Sequence, residues 1–238
     1  MPKIDKSLYS KAEYKQLKYL KKQKKLQEKI QLPVSKDPSY SNKIAFVLGN
    51  GVSRKPIDPI VLKTYGKIYG CNAIYRTFSP DFLIAVDVKM ILEISEFGYQ
   101  KNHEVWTNPN RAYQGISNLN FFNPNKGWSS GPTALWLASQ HTYDRIYILG
   151  FDYMGLKNGK RVNNIYADTK NYKKSTDGAT FFGNWLRQTV LTVRQHSHID
   201  YIRVVDQNAY HPREFKEYKN YHTLSIEKFL HLFSIEPK

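Results

Sequence analysis

The 238-residue chain has a single cysteine, Cys71. A lone thiol can form neither an intramolecular disulfide nor a cysteine-rich zinc site, and a reducing compartment suits such a chain. Long apolar runs are missing too. No stretch reaches the roughly 18 residues of a membrane-spanning helix, and the mean hydropathy is −0.59. The chain opens on MPKIDKSLYSKAEYK, without the apolar core of a secretory signal. These absences lead us to expect a soluble, cytoplasmic protein with no membrane span. Acidic residues are also scarce: Asp+Glu number 20 against Lys+Arg 36, a formal charge of +16. The seven histidines are scattered without metal-ligand spacing, and Asp87-Val88-Lys89 lacks the second carboxylate of an Asp-x-Asp pair. No metal site is expected.

What is present is enough apolar and aromatic surface, 41% and 14% of residues, for a packed core, which excludes wholesale disorder. Residues 1–40 stand apart, with eleven lysines against four acidic residues and a local charge of +7. Within them Ser10-Lys11-Ala12-Glu13 has the form of a capping box, so a helix over about 11–31 is predicted. Its apolar stripe of Tyr14, Leu17, Leu20, Leu26 and Ile30 is thin, and Pro33 ends it. A solvated lysine-rich helix and an arm for nucleic acid or another acidic partner both fit this stretch.

From residue 43 the pattern becomes short apolar runs separated by helical or irregular stretches. IAFVLGN (44–50), KIYGCNA (67–73), FLIAVD (82–87), HEVWTN (103–108), RIYILGFD (145–152) and YIRVVD (201–206) read as buried strands. PTALWLASQHTY (132–143) and GATFFGNWLRQTVLTVRQH (178–196) read as helices between them. Such alternation predicts an α/β domain over 41–238, a Rossmann-like and mostly parallel sheet with helices on both faces, preceded by the basic extension of 1–40. Residues 153–178, rich in Asn, Lys, Gly and Thr, form a long polar loop of the kind that serves as a lid.

Polar residues collect at the carboxyl ends of the predicted strands, the edge where open α/β sheets bind ligands. The first strand ends in Gly49-Asn50-Gly51-Val52-Ser53, where glycines let backbone amides approach a phosphate and a helix near Pro56 would add its positive end. A tight strand-to-helix turn without a ligand explains the same residues, and the spacing is neither a Walker loop nor a dinucleotide fingerprint. Asn72, Asp87 and Asp152 end three further strands and can line the same crevice. Ser129-Ser130-Gly131-Pro132 is a sound helix start, whose free amides could also hold an anion or a base edge.

In this order FVLGNG, YGCNAIY, SSGPTALWLA and DRIYILGFDY, over roughly residues 43–206, resemble the bacterial family 42 sialyltransferases. They are also similar to the wider group of pterin-pyrophosphokinase-like and motility-accessory proteins. The resemblance implies that Asn50, Gly51 and Asn72 hold the donor nucleotide and that Ser130 and Gly131 add contacts. It also implies that Tyr166, in NNIYADTK, assists the departing phosphate. Two positions depart from the family. Its tyrosine after the aspartate is Met154 here, with Tyr153 adjacent, and its catalytic Gly-His pair is Gly183-Asn184. An amide cannot act as a general base near neutral pH. Asp152 then becomes the replacement base and His211, in AYHPREF, a second candidate, while Lys170 could neutralise leaving-group charge.

The expected function is therefore a metal-independent transferase using a nucleotide-activated donor, a nucleotide sugar, as substrate and needing no further cofactor. A nucleotide-dependent pyrophosphokinase is one rival, although it needs a metal and a carboxylate cluster. The other is a non-catalytic nucleotide- or nucleic-acid-binding protein, consistent with the charge, the lysine tail and the missing histidine. A transferase that modifies nucleic acid would join the two. The compact length and basic charge suit a phage-encoded protein.

Overall fold

The computed structural model describes residues 43–237, so the helix expected over 11–31 and the role of residues 1–40 lie outside the described residues. Eight strands form one sheet: β1 (Ile44–Leu48), β2 (Lys67–Cys71), β3 (Phe82–Ile84), β4 (Val105–Thr107), β5 (Asn120–Phe121), β6 (Arg145–Leu149), β7 (Asp200–Val205) and β8 (Tyr221–Ser225). Every pairing is parallel, in the order β5-β4-β3-β2-β1-β6-β7-β8. The chain thus winds outward from β1 to β5, crosses back to β6 beside β1, and winds outward again. This is a Rossmann-like α/β fold, and its topological switch point lies between β1 and β6.

Four helices of more than one turn cover the sheet: α1 (Val88–Glu96), α2 (Ser130–Ser139), α3 (Gly183–Gln195) and α4 (Ile226–Leu232). Successive strand residues point to opposite faces, so the apolar runs divide between two cores. Phe46, Ile68, Tyr147 and Leu149 pack with Met90, Ile91 and Ile94 of α1 and with Phe229 of α4. Ala45, Val47, Ile146 and Ile148 pack on the other face with Ala134, Leu135 and Leu137 of α2 and Val193 of α3. Helix α2 is buried along nearly its whole length, as expected of an apolar helix lodged between the sheet and a second helix.

Some elements differ from expectation. The helix foreseen near Pro56 is replaced by a 3-10 turn, Val52–Arg54, and one α-turn, Pro59–Leu62, whose Asp58 cap accepts from the Ile60 amide at 3.0 Å. Helix α1 is an addition to the expected elements: VKMILEISE follows the third strand after only Ala85-Val86-Asp87, a short connection that blurs strand and helix into one apolar run. Strands β5 and β8 also went unrecognised. They are the sheet's edges, and their exposed, polar sequences carry little of the buried-strand pattern. No helix among the described residues is long and apolar enough to cross a membrane.

Candidate functional site

At the switch point the turns that follow β1 and β6 pack directly on each other. Gly49 N donates to Leu149 O at 2.7 Å, and Gly51 N donates to Gly150 O at 2.9 Å. A Cβ on Gly49 would stand 2.5 Å from Gly150 O, and one on Gly51 would stand 2.5 Å from Asp152 Oδ2. Gly150 has φ +69°, which other residues adopt only at a cost. These glycines are therefore demanded by the close approach of two backbones. Their ladder leaves a cleft of about 190 Å³ beside it, lined by residues of the β1, β2, β3 and β6 ends and the start of α2.

Of the residues singled out from sequence, the fold brings Gly49, Asn50, Gly51, Asn72, Ser130, Gly131 and Asp152 together around this cleft. Asn50 is only 9% exposed. Its Nδ2 donates to Cys71 O and to Tyr172 Oη, each at 3.3 Å, while its Oδ1 is buried without a partner among the described residues. Asn72 sits in the left-handed region at φ +54°, which directs its side chain back across the β2 end, and its Oδ1 accepts from Ser130 Oγ at 2.7 Å. Helix α2 begins here. Ser129 N is bound to Gln188 Oε1 at 3.1 Å, and Pro132 has no N–H, so the Ser130 and Gly131 amides are left without an acceptor among the described residues. Polar groups needing partners thus converge at a ten-residue helix's positive end.

The remaining singled-out residues lie elsewhere. Tyr166 is buried, but its hydroxyl pairs with Thr77 Oγ1 at 3.1 Å and it lines a separate hollow with Arg54 and Phe78. Lys170 is exposed and bound to Glu96 at 3.0 Å. His211 is exposed after β7, and Asn184 is exposed in the first turn of α3. Neither lines the cleft. Ser53 faces a neighbouring hollow of about 270 Å³. Asp152 does reach the cleft, yet its carboxylate is committed: Oδ1 accepts from Ser53 Oγ and Oδ2 from Ser53 N at 3.2 Å. It fixes the β1 turn, with both carboxylate oxygens accepting from Ser53.

The carboxyl group at the cleft that stands without such partners is Asp87, three residues beyond β3 and at the cap position of α1. No hydrogen bond or ion pair holds its carboxylate among the described residues; the residue is exposed, and partial desolvation at the cleft wall moves its pKa upward from the ordinary aspartate value. Cys71 also lines the cleft, but burial pushes its thiol up to about 12, so it remains protonated and unreactive at neutral pH. Phe182 and Trp185, edge to face at 5.2 Å, complete the wall from the start of α3. The aromatic pair was visible in FFGNW, although its apolar character concealed its place at the rim.

The long loop is the other wall. Asn163 Oδ1 accepts from Val52 N at 2.9 Å, and Ile165 N donates to Asn50 O at 2.8 Å. Tyr172 Oη accepts from Ala73 N at 3.2 Å as well as from Asn50. Further along, Asn171 Nδ2 donates to Glu93 Oε2 at 2.7 Å. The segment expected to act as a lid is stitched to the β1 and β2 turns and to α1. Tyr172, six residues beyond Tyr166, is the loop tyrosine whose hydroxyl reaches those turns. Compared with family models, with curated proteins and with solved structures, the chain matches none.

Proposed function

We propose that this chain is a metal-independent transferase that takes a nucleotide-activated donor, a nucleotide sugar, in the switch-point cleft. The observation that carries the reading is the convergence there of Asn50 Oδ1, the Asn72 Nδ2 and the Ser130 and Gly131 N–H groups, all polar and without a partner among the described residues. A nucleotide supplies both kinds of complement: base and ribose edges for the amides, and phosphate oxygens for the helix start. The order of the four motifs, which resembles that of the family 42 sialyltransferases, is consistent with the same reading.

Two residues take over roles that the sequence placed elsewhere. Asp87 is the base, because it is the cleft carboxylate with no hydrogen-bond partner and is open to an entering hydroxyl. Tyr172 replaces Tyr166 as the loop hydroxyl that reaches the β1 and β2 turns, since it accepts from Asn50 and Ala73 and retains its own proton to donate. A lone available carboxylate among amides is a poor ligand set for magnesium, which weighs against the pyrophosphokinase reading.

The test is a thermal-shift screen of the full chain against CMP, UDP, GDP, ADP and their sugar conjugates. A ligand at about 100 times its dissociation constant stabilises by roughly 2.7 kcal/mol. A selective shift identifies the nucleotide, and donor hydrolysis or transfer by the same protein separates an enzyme from a non-catalytic binder. The latter reading is favoured by the exposed amide at Asn184.

A further inference from the structure

A second pocket, of about 540 Å³, adjoins the donor cleft and shares Asn72, Asp87, Asn163, Asn164, Phe182 and Trp185 with it. Asp87 is the one acidic residue lining it; its other charged lining residues are Lys89 and Lys173. Neither lysine is paired with a carboxylate among the described residues. The rest of the wall combines side-chain amides, including Asn171, with the aromatic faces of Phe182 and Trp185. Amides and aromatic faces are what a polyhydroxylated ring needs, with hydrogen bonds around its edge and an apolar face to stack on. Two ammonium groups without a carboxylate partner, Lys173 Nζ reaching only the Gly178 carbonyl at 3.4 Å, call for negative charge on the same ligand.

We infer that this outer pocket is the acceptor site, and that the acceptor is an anionic sugar, one bearing a carboxylate or a phosphate, whose hydroxyl is delivered to Asp87. The inference rests on the reading of the inner cleft as the donor site. Asp87 stands where the two compartments meet, so a hydroxyl entering from the outer side faces the donor's anomeric carbon across it. In the transfer the acceptor oxygen forms the new bond to that carbon while the carbon–oxygen bond to phosphate breaks. The bonding pair leaves with the phosphate, and the acceptor's hydroxyl proton passes to the Asp87 carboxylate and then to water. The anionic group lies away from the reacting carbon, against Lys89 and Lys173, where it fixes which hydroxyl is presented. The pocket is bounded by α1, the loop and the start of α3, which suits a terminal sugar better than a continuous polymer.

Binding is measured directly on the full-length protein by NMR, following the Trp185 indole and the Asn171 and Lys173 amide signals. The probes are glucose, glucuronic acid, glucose 6-phosphate and a short single-stranded oligonucleotide, each with and without the best-binding nucleotide. We expect one or both charged sugars to shift these signals and glucose to leave them unmoved, and which charged sugar binds distinguishes carboxylate from phosphate. Lys89→Ala and Lys173→Ala, both exposed substitutions, should each weaken charged-sugar binding about tenfold and leave the nucleotide-induced thermal shift unchanged. Equal binding of glucose, displacement of the same signals by the oligonucleotide, or silence from every sugar in the presence of nucleotide would overturn the inference. Charged-sugar binding by a protein that binds no nucleotide would support the pocket's preference while overturning the donor reading. Nucleotide binding without charged-sugar binding would do the reverse.

Discussion

The Ser130 hydroxyl donates to Asn72 Oδ1 at 2.7 Å and accepts the Val86 amide at 3.1 Å. One buried side chain thereby ties the end of β2, the end of β3 and the first turn of α2 together, across 58 positions of sequence in the case of Asn72. It also orients the Asn72 carboxamide, so that its remaining N–H groups stay available to the cleft. Ser130→Ala should leave the Val86 amide and Asn72 Oδ1 unsatisfied, at a cost of about 1–3 kcal/mol in folding stability. Urea denaturation reads that loss, and nucleotide affinity should fall with it because Asn72 is no longer held.

Asp87→Asn is expected to separate stability from activity. Partial desolvation raises the pKa of this otherwise exposed residue in the folded protein, so between the unfolded value, about 3.9, and the raised one the native state binds slightly more protons than the unfolded state. Stability contributed by Asp87 is therefore lost as pH rises through that window. The asparagine variant should be at least as stable as the wild type at neutral pH and should lack this descent. Its transfer rate should drop by about 10²- to 10⁴-fold, the usual contribution of a general base. Melting temperatures measured from pH 4 to pH 8 for both proteins check the first part, and donor turnover checks the second. Undiminished turnover would remove Asp87 from the chemistry.

Glu93 should act in the opposite sense. Burial disfavours its charge, yet hydrogen bonds from Tyr75, Arg76 and Asn171 together with the Arg76 charge outweigh that penalty and hold its carboxyl below the usual glutamate range. The stability it contributes is present above the unfolded value, about 4.3, and is lost as pH falls through the depressed one. Glu93→Gln should flatten this acid descent. It should also loosen the Asn171 end of the loop, because a neutral amide cannot satisfy the guanidinium, the phenol and Asn171 at once. Acid titrations followed by far-UV circular dichroism compare the two slopes.

Gly51→Ala tests the backbone ladder. The added methyl would meet Asp152 Oδ2 at 2.5 Å and Gly150 O at 2.7 Å, and both atoms belong to the β6 turn that the ladder holds in place. We expect a loss of about 1–3 kcal/mol from overpacking, seen as a lower urea midpoint, together with weakened nucleotide binding because the Asp152–Ser53 bond must shift.

The fold was legible because buried parallel strands must be apolar on both faces, and β1, β2, β3, β6 and β7 display that as short continuous runs ending in polar residues. The carboxyl-end rule then gathered Asn50, Asn72, Ser130 and Asp152 at one edge. What the sequence could not carry was direction within the long loop. Tyr166 and Tyr172 stand six residues apart in similar surroundings, and only the hydrogen bonds to Asn50 and Ala73 distinguish them. Asp152 and Asp87 are likewise equivalent as strand-terminal aspartates. The Ser53 contacts that occupy one and spare the other depend on how the β1 and β6 turns pack, a long-range property with no local signature.

The claim most in need of measurement is that the switch-point cleft holds a nucleotide through Asn72. Titration calorimetry of the best nucleotide from the thermal-shift screen into wild-type protein and into Asn72→Gly tests it directly, since glycine accepts the left-handed backbone at φ +54° without strain. We predict single-site binding to the wild type and a loss of roughly 1–3 kcal/mol of binding in the variant, alongside a modest fall in melting temperature because the Ser130 hydroxyl loses its acceptor. Equal affinities for the two proteins, or no heat of binding from any nucleotide, would contradict it.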